Sequence, residues 1–523
     1  MWDPTHGLFR IPTKEERIRM RGGAPLNPIK VIIMLSWMDW VRFFCGLFAW
    51  IMDSYDFFAV SMSVGSLQKA FSHDGKFYST KQITYAIMLT LLLRSAGALI
   101  FGILADRYGR RWVLTINLVI VAALSLSTAY CTEFKTFLGV RSIFGIAMGG
   151  IWGMANATCL EDMPPAARGL FSGFFQEGYA IGYLIAAAAN LSWVNKTAHR
   201  YPLPKWEYLF YLGAGLSLLA AIFRALVPEG ANFKEQRRLR KLKPSSHGSV
   251  KSFLSEVKHT LAKYWPQCIF GVLLMIGFNF FSHSSQDLYP SIVQNVKGMS
   301  ADQSSVLTII ANCGAIAGGL IAGYLSQYVG RRIAMVMFII LAGAMVPAWI
   351  LPNTFSGLAA GAFFVQVGVQ GAWGVVPVFL SELSPPNFRA TFPGLAYQLG
   401  NMASSASATI EETGAQNIRV QDPQNPNKTV GDSATVSAIL LGCVAFYLLV
   451  LIVFGLNPEQ GQEFAISHDH PNATSAEEAI AQASTDPESR WHNGEPGMVS
   501  NINAEPVAPV HYVQDLLDQE KKI

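Results

Sequence analysis

Gly102-Ile-Leu-Ala-Asp-Arg-Tyr-Gly-Arg-Arg111 recurs 221 residues later as Gly323-Tyr-Leu-Ser-Gln-Tyr-Val-Gly-Arg-Arg332. Two further pairs keep the same displacement. Gly150-Ile-Trp-Gly153 returns as Gly371-Ala-Trp-Gly374, and Glu161, Pro164, Pro165 and Arg168 return as Glu382, Pro385, Pro386 and Arg389. One displacement shared by separate loops and helices means two halves of the same build. The decapeptide lies in a turn between two apolar runs, and that context excludes a nucleotide-binding loop.

The composition agrees with a membrane setting. Of 523 residues, 51% are hydrophobic and only 14% charged, against about 25% charged in soluble domains. Apolar runs of about 20 residues predict twelve spans: 43–65, 83–105, 112–131, 136–157, 169–191, 207–227, 267–292, 304–327, 333–351, 356–381, 390–413 and 433–455. The fold class is therefore an all-α membrane protein of two pseudo-symmetric six-helix halves. Six scattered cysteines form no paired or metal-ligand spacing and read as packing residues. No cleavable signal peptide is expected, because the N-terminus is polar and charged for about 30 residues and the first apolar run is of spanning length.

Basic residues cluster in alternate loops: Arg107, Arg110 and Arg111; then nine Lys/Arg against two Glu from Lys234 to Lys263; then Arg331 and Arg332. The positive-inside rule puts these loops and both termini in the cytoplasm. Stretches 192–206 and 414–432 then face outward, with glycosylation acceptors at Asn195 and Asn427. The predicted organisation is 1–42, a cytoplasmic N-terminus with an interfacial helix (Trp37, Trp40 and Phe43 among Lys30, Asp39 and Arg42); 43–228, the first half; 229–266, a basic linker; 267–456, the second half; and 457–523, a cytoplasmic tail. That tail has twelve Asp/Glu against three Lys/Arg and few large apolar residues, so it reads as mostly disordered, with a short helix possible near Val513–Lys522.

Polar residues inside spans are the candidate functional residues. In span 7, Asn279-Phe-Phe-Ser-His-Ser-Ser-Gln-Asp287 continues an apolar run. Asn279, His283 and Asp287 are four apart and Gln286 is three from His283, so helical spacing gathers them on one face. Arg94, in the middle of span 2, is too deep to snorkel and reads as a cavity cation or one half of a structural ion pair. Arg141, nearer the end of span 4, has snorkelling as an equal alternative. Asp53 and Asp56 of span 1 could each answer Arg94. Glu177 of span 5 is mirrored by Gln398 of span 11, with Asn401 following. Gln366 and Gln370 of span 10 suit a polar ligand or ordinary interhelix bonding. The span-4 glycines read as packing residues. Gly102, Asp106, Arg107, Gly109, Arg110, Gly323 and Arg331 form the conformational loops, where Asp106 can meet a helix N-terminus or a basic neighbour across the halves.

The duplicated decapeptide resembles the loop motif of the major facilitator superfamily, over about residues 36–464. Pro228-Glu229 and Pro458-Glu459 fit its half-ending motif more loosely. The span-7 row narrows the resemblance. Asn279-x-x-Ser282-His283-x-Ser285-Gln286-Asp287-x-x-x-Ser291 is similar to the motif of the fungal lactate/pyruvate:proton symporters, carboxylate permeases of the sialate:proton symporter branch, with Ser291 where the family usually has Thr. The resemblance implies transport roles for Asn279, His283, Gln286 and Asp287. It ties Gln398 and an aromatic before a Gln in span 5, Phe175 or its neighbour Phe174, to the choice between mono- and dicarboxylates.

Independently of the family, a small anion needs cationic or donor-rich groups: Arg94 or Arg141 with Asn279, Gln286 and Gln398. A proton carried with it makes the step nearly electroneutral. His, with an ordinary pKa of about 6.5, suits that role, and Asp287 one turn away favours its protonated form. Asp53, Asp56 and Glu177 are further proton-coupling candidates. The expected protein is not an enzyme. It is a plasma-membrane symporter of lactate, pyruvate and related monocarboxylates, using a proton gradient and no cofactor or metal. Its partners are substrate, protons and lipid, not nucleic acid, and it works as a monomer. Rivals are a dicarboxylate (succinate/malate) symporter, a sugar or sialic-acid symporter, and a non-transporting nutrient sensor. Aromatic and amide residues in the cavity, with Arg94 tied up by Asp53 or Asp56, would favour the sugar or sialic-acid carrier.

Overall fold

The computed structural model describes residues 27–72, 80–194, 206–230, 233–234, 237, 250–385, 388–421, 427 and 429–456. The acidic tail with Pro458-Glu459, the acceptor at Asn195 and most of the linker before Val250 lie outside the described residues. Ten described helices are long and apolar enough to cross a membrane. The predicted fifth and eleventh spans are each broken in two, as Arg168–Gln176 with Gly178–Ala189 and Thr391–Ser404 with Ser407–Asn417. Counting each broken pair as one crossing gives twelve. These two breaks fall in equivalent spans of the two halves, whereas span 4 is also interrupted, as Phe134–Gly149 and Ile151–Leu160, with its mirror Phe355–Leu383 continuous.

Two boundaries differ from the sequence reading. The element before span 1 is only Pro28–Ile33, capped by the Asn27 side chain, which accepts from the Ile29 amide at 2.9 Å. Asp39 then accepts from the Ser36 amide at 3.0 Å, and a new helix starts at Trp37, so Trp37, Trp40 and Phe43 belong to the spanning helix Trp37–Phe71. Span 7 begins as early as Val250 and runs to Gln286. It kinks at Tyr264, two residues before Pro266, whose missing N–H and ring clash interrupt a helix. Between spans 11 and 12, Arg419–Gln421 and Thr429–Gly431 pair as an antiparallel hairpin with Val420 opposite Val430.

The repeat is legible atom by atom. A Cβ on Gly97 would lie 1.7 Å from the Ile146 carbonyl oxygen. Its mirror Gly318 stands 2.3 Å, by the same measure, from the carbonyl of Val367, the mirror of Ile146. Spans 2 and 4, and spans 8 and 10, therefore meet backbone to backbone, which only glycine allows. Gly109 and Gly330, the second glycines of the two decapeptides, have φ of 107° and 97°, a left-handed region that glycine adopts readily.

The basic motif loops close one face of the bundle, here called the basic face. Asp106 accepts from the Ala390 and Thr391 amides at 3.2 and 2.9 Å and from the Thr391 hydroxyl at 2.7 Å. It thus caps the start of span 11 in the other half, where a negative charge meets the positive end of a helix. Arg110 pairs with Glu161 at 2.6 Å, and the mirror pair Arg331–Glu382 lies at 3.1 Å. Arg107 lies over the Tyr108 ring. A Cβ on Gly102 would strike Thr391, and one on Gly323 would strike Gly169 and Gly173, so both glycines sit at contacts between the halves. Gln327, the mirror of Asp106, donates to the Pro165 carbonyl at 3.3 Å as a neutral group.

Replacing Asp106 with Ala should cost the inter-half closure about 1–2 kcal/mol. Hydrogen exchange of the Ala390 and Thr391 amides should quicken about 5- to 30-fold; unchanged exchange would remove Asp106 from this closure.

Candidate functional site

Four sequence candidates meet in one cavity between the halves. Asp53 and Arg94 come from spans 1 and 2 of the first half; Asn279 and His283 come from span 7 of the second. Ser54, Phe57, Leu91, Gln176, Tyr179, Ser282, Trp373, Tyr397 and Asn401 complete its lining. The cavity has room for about one water, so a larger solute enters only when the halves part.

Arg94 and Asp53 are both buried, and Arg94 Nη2 lies 3.5 Å from Asp53 Oδ2. The guanidinium also contacts the Met148 sulfur at 3.2 Å and lies over the Phe57 ring. Neither Asp53 oxygen makes a hydrogen bond among the described residues. The pair is therefore a loose one, with donor capacity on Arg94 that a second anion can use. Asp56, three residues on, turns away into the first half and accepts from the hydroxyls of Ser125 at 3.0 Å and Ser217 at 3.1 Å. The choice that spacing left open is made by these serines.

His283 is the link across the second half. Its Nδ1 is 2.9 Å from Asp287 Oδ2, and its Nε2 is 3.3 Å from Asn401 Oδ1. Both ring nitrogens face oxygen acceptors, an arrangement that the doubly protonated ring satisfies in full. Asn401 in turn donates to Gln398 Oε1 at 2.8 Å. The Asp287 side chain is 24% exposed and that of His283 only 4%. The imidazole thus stands between a wetted carboxylate and the cavity. Asn279 donates to the carbonyls of Met275 and Tyr397 at 2.8 and 3.3 Å, joining spans 7 and 11 at the cavity wall.

The remaining candidates lie elsewhere. Gln286 was expected on the face of Asn279, His283 and Asp287, but it leaves this cavity and donates to Gln366 at 2.8 Å in a neighbouring one, lined also by Tyr183, Thr308 and Asn312. One residue of helix turns about 100°, so Gln286 and Asp287 diverge. Gln370 contacts the Ser282 hydroxyl at 3.4 Å, so the span-10 amides bond span 10 to span 7. Gln398 is not among the lining residues and connects to the cavity through Asn401. Arg141 is buried over the Phe144 ring and does not snorkel. Phe175 does not line the cavity; it stacks on Trp50 and packs against Trp152. Its neighbour Gln176 holds the lining position. Glu177 faces span 8 at Gly319, outside the cavity.

Sequence reasoning missed the aromatic wall. Tyr397 stacks on Trp152 at 4.7 Å between centroids and meets Trp373 edge-on at 5.7 Å. The signal was present: Trp152 and Trp373 are mirrors, as are Gln176 and Tyr397, at the same displacement of 221.

A twelve-crossing duplicated bundle with a charged cavity at the junction of its halves defines a multi-pass membrane transporter of the major facilitator type, not an enzyme. Residues 29–459 match the sugar (and other) transporter family, and the chain belongs to it. It is 35% identical over 442 residues to the "Carboxylic acid transporter protein homolog" of Saccharomyces cerevisiae, covering 82% of this chain and 70% of that one. It is 23% identical to the "Sialic acid transporter NanX" of Escherichia coli, over 63% and 77% of the two chains. The solved proton:xylose symporter XylE superposes with a TM-score of 0.63 at 18% identity, over 81% of this chain and 98% of that one, and shares the fold.

Asp53→Asn leaves Arg94 buried beside a neutral amide and should lower stability by about 3–5 kcal/mol. The double variant Asp53→Asn, Arg94→Gln should recover part of that loss. Thermal unfolding of the purified protein checks both; equal melting of wild type and single variant would mean that the pair carries no weight.

Proposed function

We propose that this protein is a proton-coupled symporter of small carboxylates, with lactate, pyruvate and related monocarboxylates as substrates, working at the plasma membrane by alternating access. The observation that carries this reading is Arg94, a buried guanidinium in the central cavity held, among the acidic groups of the described residues, by Asp53 alone, with His283 in the same cavity. A proton on Asp53 weakens its hold on Arg94 and frees the guanidinium for a substrate carboxylate. His283 takes up that proton through Asp287, which stands nearer to solvent, and passes it across the shared cavity to Asp53. Asn279, Asn401 and Gln176 supply neutral donors and acceptors around the anion. Substrate and proton then enter together, and the buried site keeps its charge balance. The match to a yeast carboxylic acid transporter homolog supports the substrate class. The basic face is assigned to the cytoplasm on the positive-inside rule, with both termini on that side, and the proton gradient takes the place of a cofactor. The transport unit is one chain.

A second reading has its own observation. Arg94 is paired with Asp53, and Trp373, Tyr397, Tyr179, Gln176 and Asn279 supply aromatic and amide surface, as a sugar or sialic-acid proton symporter would need. A sensor binds but does not exchange its ligand.

Uptake of labelled lactate, pyruvate, succinate, xylose and sialic acid into proteoliposomes, with and without an inward proton gradient, separates these readings. Monocarboxylates should be taken up faster as the outer pH falls, because one proton, taken up at His283 and delivered to Asp53, accompanies loading. Arg94→Gln should lower uptake at least 100-fold, about 3 kcal/mol, and His283→Ala should flatten the pH profile. Wild-type uptake of sugar alone would establish the second reading, and the absence of any counterflow would identify a sensor.

A further inference from the structure

Among the described residues, Glu177 is a carboxylate without a partner. It lies at the break of span 5, ending Arg168–Gln176 and opening Gly178–Ala189. It is fully buried, and neither carboxylate oxygen makes a hydrogen bond among the described residues. Its Oε1 occupies a notch in span 8: a Cβ built on Gly319 would stand 1.7 Å from it. Around that notch spans 5, 8 and 10 meet on glycine. A Cβ on Gly173 would lie 2.2 Å from the Gly319 carbonyl oxygen, and one on Gly374 would lie 2.7 Å from it. Spans 8 and 10 belong to the second half and span 5 to the first. The carboxylate is thus clamped in a seam that must open whenever the halves part on the basic face.

The surroundings offer it no compensating charge. Span 8 presents Gly319, span 10 presents Gly374, and span 1 packs Leu47 and Trp50 against the adjoining Gly178. Asp53, one turn beyond Trp50, points into the central cavity towards Arg94. Among the described residues no donor reaches either carboxylate oxygen of Glu177. An ionised carboxylate sealed there would be an uncompensated buried charge, which costs several kcal/mol. The neutral acid, with a glycine notch shaped to its oxygen, is the form that fits.

We propose that Glu177 is a proton-operated latch on the basic face, separate from the protons carried with substrate: the seam between spans 5 and 8 closes on the neutral acid and, once opened to water, releases its proton. On opening, the carboxyl O–H gives its proton to water and the anion is hydrated; on closing, one proton is taken back from water. Closure is therefore linked to the binding of one proton, and acid favours the closed seam. The inference rests on the alternating-access reading above, but not on what the substrate is.

Hydrogen exchange of the full-length protein in lipid nanodiscs tests it, without substrate or gradient. The segments 169–177 and 316–323 are followed from pH 5 to pH 8, corrected for the intrinsic pH dependence of exchange. In the wild type, opening of both segments should rise by about tenfold per pH unit once Glu177 begins to ionise. Glu177→Gln, a permanently neutral isostere, should stay protected and pH-independent. Gly319→Ala fills the notch and should leave both segments poorly protected at every pH. A Glu177→Gln profile that rises as in the wild type, a flat wild-type profile, or full protection in Gly319→Ala would each overturn the proposal. Since no transport is measured, failure of the carboxylate reading leaves this result intact, and the reverse holds too.

Discussion

Hydrocarbon offers no partner to a charge, so an ionised group inside the bundle has to find its partner in the protein. The arrangement of this protein follows from that constraint. Where the partner is fixed and close, as in Arg110–Glu161 and Arg331–Glu382, the pair is structural and joins spans near the basic face. Where the partner is held loosely and borders a cavity, as in Asp53 and Arg94, the charge is available to a ligand. Where the described residues supply no partner, as at Glu177, an enclosed charge would go uncompensated.

The duplication decides where each case arises. Both halves place a basic turn against the start of a broken span in the other half, but only the first half supplies a carboxylate for it. Asp106 caps span 11 with three hydrogen bonds, whereas Gln327 reaches the equivalent turn through one neutral amide. The central cavity is similarly unequal. Its ion pair comes from spans 1 and 2, while its imidazole and most of its amides come from spans 7 and 11. A solute at the junction therefore touches unlike groups on its two sides, and motion of one half against the other changes both sets of contacts.

Much of the architecture could be read in the chain. Span number, the two halves and the motif loops follow from apolar length and a displacement of 221 residues, both linear properties of the sequence. The breaks of spans 5 and 11 were not visible, because hydropathy averages over a helix and does not register a change in backbone direction. Helical spacing correctly joined His283 to Asp287, since one turn of one helix is local geometry. The same rule placed Gln286 with them, where its rotation about the axis carries it to Gln366 instead. At Phe175 and Gln176 the same rotation matters. A one-residue step in span 5 decides between stacking on Trp50 and lining the cavity.

By itself the sequence determined the class of molecule, its twofold build and the short-range pairs, because composition, repetition and helical period need no knowledge of which helix lies beside which. Tertiary structure alone decided that Asp53 and not Asp56 answers Arg94, that Asn401 joins His283 to Gln398, and that Glu177 meets a glycine of the other half. Each of these is a contact between side chains on different spans. Its distance depends on how far two helices approach and how each is turned about its axis, and glycine notches and buried serines set those quantities one contact at a time.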